Sequence, residues 1–151
     1  ELSNFDIDKK MNKLELDANL VDGRTIKSNT DLEKLFDKRG HAIIWHPWNI
    51  DGSNAHWIVL LRKGNNVLHH DSFGLENNIL VPEILNICKN NGCNLYRNEI
   101  TYQDKNSSTC GRHAILMCAL NKCCKTFDDI ENVLLDITKN QPLDEYLINK
   151  Q

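Results

Sequence analysis

Residues 110–120, Cys-Gly-Arg-His-Ala-Ile-Leu-Met-Cys-Ala-Leu, make a helix-length run whose apolar side chains surround the axis instead of lining one stripe. Such a helix has to be covered on most sides, which predicts a helix at the centre of a domain. The polar loop 103–109, Gln-Asp-Lys-Asn-Ser-Ser-Thr, leads into it, with Ser108 or Thr109 as its candidate cap.

The rest of the chain offers short pieces that would cover it. Thr30-Asp31-Leu32-Glu33 predicts a capping box and a helix through Leu35 and Phe36 that stops at Gly40. Residues 41–45 predict a strand ended by Pro47, and a hairpin follows, with strands at 56–62 and 67–72 around a turn at 63–66. Pro82 stands where the first residue of a helix would; 83–89 keeps helical spacing and Asn91-Gly92 closes it. Residues 94–102 alternate as a strand, while 128–138 and 142–148 predict two closing helices. Residues 1–25 are polar and weakly periodic, which predicts an arm or short surface elements. This order predicts an α+β fold, a small mixed sheet packed against the buried central helix. The 151 residues suit one domain, divided into 1–40 (arm and helix of no assigned role), 41–120 (core) and 121–151 (closing helices).

Composition closes off several classes. Hydrophobic residues at 40% and charged residues at 26% exclude wholesale disorder. No apolar run approaches the ~18–20 residues of a membrane span, and Glu1-Leu-Ser-Asn-Phe-Asp lacks the apolar block of a signal peptide. No membrane partner is expected, and a chain beginning at Glu1 reads as trimmed or processed. Eighteen basic residues against 21 acidic ones leave a charge of −3, which provides no broad basic field for nucleic acid. The cysteines are Cys88, Cys93, Cys110, Cys118, Cys123 and Cys124. The adjacent pair Cys123-Cys124, and Cys118 inside an apolar run, argue for reduced thiols in an intracellular setting over a disulfide framework.

Cys110 falls in the first turn of the central helix, where unsatisfied N–H groups and the positive dipole end favour a thiolate. Gly111 allows backbone or substrate to approach closely; the plain alternative is an inert buried thiol. A thiolate nucleophile needs a base held by a third group. If the hairpin turns in two or four residues, paired positions sum to 129 and Asp71 becomes the same-face diagonal neighbour of His56. A three-residue turn would put them on opposite faces. His69 and His70, flanking Asp71, and His46, before Pro47, are the other bases available. Gln103 carries an amide able to donate to an oxyanion beside the Cys110 backbone N–H. Trp57 reads either as a core aromatic or as a wall of a substrate channel, and Trp45 and Trp48 as core or loop anchors.

In order along the chain, His56-Trp57, Asp71-Ser72-Phe73-Gly74, Gln103 and Cys110-Gly111 resemble the adenovirus-type maturation proteases and the related SUMO-protease-like (adenain-like) cysteine peptidases. The likeness covers residues 41–120. It implies Cys110 as nucleophile, His56 as general base, Asp71 as orienting acid and Gln103 as oxyanion donor, on a papain-like core with permuted motif order. The seven-residue step from Gln103 to Cys110, and Phe73-Gly74 after Asp71, are closer to the adenoviral branch. A short Asn-rich chain also suits a viral enzyme. The resemblance therefore implies a thiol endopeptidase of virion maturation that cuts capsid or core precursors after small residues such as Gly. It would act in the infected cell, be packaged in the virion, and need no metal or small-molecule cofactor. Its partners would be protein or peptide substrates. The mildly acidic balance disfavours the DNA cofactor of adenoviral enzymes, and neither Cys88 nor Cys93 is identified as the partner of a disulfide-linked activating peptide. Residues 1–40 match no part of the family.

Other classes compete. A SUMO- or ubiquitin-like-protein deconjugating protease shares the catalytic order. So do bacterial effector acetyltransferases, but their inositol-polyphosphate site needs a basic cluster that this chain lacks. Cys88-x4-Cys93 with Cys110-x2-His113 has spacing that a structural zinc would accept. A non-catalytic binding module is the last alternative, and the filling of all four catalytic positions weighs against it.

Overall fold

Runs of β-branched and aromatic residues set the strands, and the computed structural model describes residues 3–47, 55–104 and 108–149. The strands are β1 Asn19–Asp22, β2 His41–Pro47, β3 Ala55–Lys63, β4 Asn66–His70 and β5 Asn94–Arg97. They form one mixed sheet in the order β1-β2-β3-β4-β5, with the two outer pairs parallel and the two inner pairs antiparallel. Among the described residues six helices accompany it: α1 Asn4–Lys13, α2 Leu32–Leu35, α3 Val81–Asn90, α4 Cys110–Cys123, α5 Phe127–Thr138 and α6 Leu143–Asn149. The fold is α+β.

The continuous apolar run Trp57–Leu61 reflects a central strand covered on both faces. Ile43, Trp57, Val59, Leu61 and Leu68 pack toward α4, with α1, α5 and α6 around it. Ala42, Ile44, Ile58, Leu60 and Val67 pack toward α2 and α3. Each fully buried large aliphatic side chain contributes roughly 1.5–3 kcal/mol, so β3 is anchored from both sides. In α4, Gly111, His113, Ala114, Ile115, Met117, Cys118 and Asn121 are buried and point in all directions, as the sequence pattern predicts. Its carbonyl end is closed by a cation: Lys63 Nζ donates to Asn121 O (3.0 Å) and Cys124 O (2.7 Å). Among the described residues no helix is long and apolar enough to cross a membrane.

Several local expectations are corrected. The helix at 30 is a single turn, Leu32–Leu35, well short of Gly40. Its cap is Asp31, whose carboxylate accepts from Glu33 N–H at 3.0 Å, while the Thr30 hydroxyl accepts from Lys27 N–H instead. The strand expected over 94–102 stops at Arg97 because the Asn98 side chain turns to bond the backbone of Asp71. Pro82 is the second residue of its helix, which begins at Val81. Strand β2 continues to Pro47, and β4 ends at His70. The polar N-terminus is more than a surface arm. Ser3 and Asp6 form a capping box for α1, Ile7 and Met11 of α1 enter the core, and β1 pairs with β2. Trp48 and loop positions 105–107 lie outside the described residues.

Candidate active site

A two-residue turn joins β3 to β4, with Lys63 opposite Asn66 and Gly64 at φ +58. This is the register in which paired positions sum to 129, so His56 and Asp71 share a face. Their side chains meet: His56 Nε2 lies 2.7 Å from Asp71 Oδ1, and both side chains are 1% exposed. A carboxylate only accepts, so Nε2 carries the proton and Nδ1 is the nitrogen left for a second partner. The Cys110 side chain also hydrogen-bonds the ring.

The three groups are linked electrostatically. Burial works against an imidazolium at His56, but the hydrogen bonds and charges of Asp71 and Cys110 outweigh it and push His56 up to about 9. Burial would likewise raise the Asp71 carboxyl. The hydrogen bond and charge of His56, with the Phe73 N–H, hold it below its ordinary value instead. The result is a buried imidazole held in its protonated form beside the Cys110 sulfur, with a carboxylate fixing its orientation.

Asp71 sits just past the end of β4, where its backbone would lack ladder partners. Asn98 supplies them: its Oδ1 accepts from Asp71 N–H (2.9 Å) and its Nδ2 donates to Asp71 C=O (2.6 Å). The next residues complete a tight turn. Phe73 N–H donates to Asp71 Oδ1 at 2.9 Å, and its ring stacks on His56 with centroids 4.7 Å apart. Gly74 adopts φ +76 against Thr101, where an added Cβ would lie 2.6 Å from Thr101 Oγ1.

Gln103 is 3% exposed and reaches the same region from the other side of this turn. Its backbone N–H donates to Ser72 C=O at 2.9 Å, and the Ser72 hydroxyl donates to Gln103 Oε1. With Oε1 held as the acceptor, Nε2 is the donor end of the amide. Thr109 occupies the N-cap position of α4, but no helix N–H is bonded to its side chain. Its hydroxyl donates instead to Asp144 Oδ1 at 2.5 Å.

The remaining candidates take other roles. Strand alternation sends Trp57 into the core against α4, where it is 2% exposed. Opposite Trp45 in register, it also lines a cavity of about 510 Å³ with Leu20, Val21 and Asp22. His46 is the cross-strand neighbour of His56, and burial lowers its affinity for a proton. His69 Nε2 lies 2.9 Å from Ile79 O; His70 stacks on Tyr102, and burial beside His113 pushes it down to about 3. All six cysteines are free thiols. The four zinc-spaced residues do not converge, because Cys88 packs on the sheet face opposite Cys110. Among the described residues no group of three His, Cys, Asp or Glu is placed to hold a metal ion.

Ser72, Phe73 and Asn98 are the supporting residues that sequence reading passed over as individual contributors. Ser72 and Phe73 stand inside the quoted Asp71–Gly74 motif, so their positions carried a signal without an assigned role. Asn98 had none, being one polar residue in a stretch that alternates like a strand. No protein-family model matches the chain, and a search of curated proteins finds no match.

Proposed function

We propose that the chain is a cysteine endopeptidase similar to the adenovirus-type and SUMO-protease-like enzymes, and closer to the viral branch. The observation that carries this reading is the buried His56 ring, bonded through Nε2 to Asp71 and hydrogen-bonded to Cys110. In the proposed reaction Cys110 has already given its proton to His56 when the sulfur attacks the scissile carbonyl carbon. The developing oxyanion is received by Gln103 Nε2 and the Cys110 backbone N–H, in a water-poor site where such donors are most effective. As the C–N bond breaks, His56 returns the proton to the leaving amine, and a thioester remains on Cys110. Water, deprotonated by His56, then attacks the thioester and releases the acid and the free thiol.

The substrate expected from the resemblance is an extended segment of a viral capsid or core precursor with Gly before the cut. An extended peptide held by backbone pairing needs far less surface than the roughly 800 Å² of a folded ubiquitin-like partner. The short connections of this chain suit the former. The test compares a library of Gly-ending peptides with intact ubiquitin-like conjugates, using Cys110→Ala as the control. Cleavage of the peptides after Gly, with bulky residues rejected there and no turnover by Cys110→Ala, supports the reading. Efficient deconjugation without peptide cleavage would favour the deconjugating-protease reading instead.

A further inference from the structure

We propose that Asp144, on the closing helix α6, is the positioning residue that sets the spacing between the oxyanion donor and the nucleophile. Three donors from one short stretch converge on its carboxylate. Oδ2 accepts from Asp104 N–H at 2.6 Å, the residue next to Gln103. Oδ1 accepts from the Thr109 hydroxyl at 2.5 Å and from His113 Nε2 at 2.7 Å. Those two residues flank Cys110, one immediately before it and one in the first turn of α4.

Geometry gives the two oxygens separate tasks. One holds the chain beside Gln103, the other grips the start of the helix that presents Cys110. A side chain far along the sequence thus ties both ends of the 103–110 segment to a single point. The Asp144 side chain is 14% exposed and His113 is 1% exposed, so the clamp is mostly shielded from water. Burial alone would raise the Asp144 carboxyl; its three donors and the charge of His113 outweigh that and bring it down to about 2, so it is ionised at any working pH. The spacing matters because a displacement of about 1 Å at reacting groups costs on the order of 10²-fold in rate.

The role rests on the peptidase reading of the same site, and three variants separate it from simple structural support. Asp144→Asn keeps an acceptor for Thr109 and His113 but turns an N–H toward the Asp104 N–H, so only the Gln103 side is released. Thr109→Val weakens only the Cys110 side, and Asp144→Ala releases both. The measurements are kcat and KM on a Gly-ending peptide, and the rate at which iodoacetamide alkylates Cys110. Asp144→Asn is expected to lower kcat by about tenfold, with KM and the alkylation rate both within about twofold. Thr109→Val and Asp144→Ala are expected to slow alkylation by about threefold or more.

A kcat within about twofold for Asp144→Asn overturns the proposal, as does equal slowing of turnover and alkylation in that variant. Unchanged alkylation in Thr109→Val overturns it as well. If the wild-type protein cleaves no peptide, the peptidase reading fails by itself. The order of alkylation rates across the three variants then still decides what Asp144 does.

Discussion

The hydroxyl of Ser72 donates to Oε1 of Gln103, and the carbonyl of Ser72 accepts from the Gln103 backbone N–H at 2.9 Å. One residue thereby fixes both the place and the orientation of the amide. Gln103→Ala is expected to lower kcat by roughly 10²–10³ while Cys110 alkylation stays nearly unchanged, since an oxyanion donor acts only in the transition state. Ser72→Ala removes the hydroxyl that holds Gln103 Oε1 and should lower kcat by about tenfold. A Gln103→Ala enzyme within about threefold of wild type would remove that side chain from the oxyanion site.

The His56–Asp71 pair makes stability depend on pH in a defined direction. With His56 at about 9 in the folded protein and about 6.5 unfolded, folding favours its protonated form. That stabilisation is full below about pH 6.5, declines above it, and is gone once the pH passes about 9. Asp71, held below its ordinary value, adds stability above about pH 4 that is lost on acidification through its lower folded value. In urea melts, the advantage of wild type over His56→Gln should be largest near pH 6 and shrink by pH 10. The expected loss is at most on the order of 3 kcal/mol. An advantage that grows toward pH 10 would have the wrong sign.

Two glycines with positive φ separate strain from site geometry. Gly64→Ala, with open space around the new methyl group, should cost about 1 kcal/mol and leave peptide turnover unchanged. Gly74→Ala adds a clash with Thr101 in the turn that carries Asp71, Ser72 and Phe73. It should cost about 2 kcal/mol or more and also lower kcat. Equal turnover in the two variants would show that the turn does not set the site.

Asn98→Ala removes both side-chain partners of the Asp71 backbone. The Asp71 C=O still accepts from the Gly74 N–H at 2.8 Å, but the buried Asp71 N–H loses its partner, which costs about 1–3 kcal/mol, so thermal stability should fall. Turnover should fall further than in Gly64→Ala, because Asp71 loses its anchor. Unchanged turnover would mean that the β4 end is held by other contacts.

Much of this arrangement was legible before any coordinates. An apolar pattern without a stripe located α4, and the sequence put Asp71 on the face of His56 provided the hairpin turn has two or four residues, because period-two alternation leaves little freedom once the turn is known. Contacts set by tertiary placement were not legible. Thr109 has the composition of a helix cap, yet its hydroxyl serves Asp144, which comes from 35 residues further along the chain. Asn98 looked like one more strand residue, because alternation does not reveal which polar side chain will replace ladder bonds. Residues 1–25 concealed β1, a short edge strand whose pairing partner lies elsewhere in the sequence.

The most direct measurement is the order in which the six cysteines react with substoichiometric iodoacetamide near pH 6, mapped by mass spectrometry. Ordinary thiols, with a pKa of about 8.5, are almost fully protonated there. Burial pushes Cys88 up to about 11 and moves Cys118 and Cys124 upward as well, while Cys123, exposed at the end of α4, serves as the internal control. If Cys110 passes its proton to His56, it should dominate the modified peptides in the wild-type protein and lose that lead in His56→Ala. Preferential labelling of Cys123 in the wild-type protein, or a Cys110 lead that survives in His56→Ala, would contradict the nucleophile–base pair on which the mechanism stands.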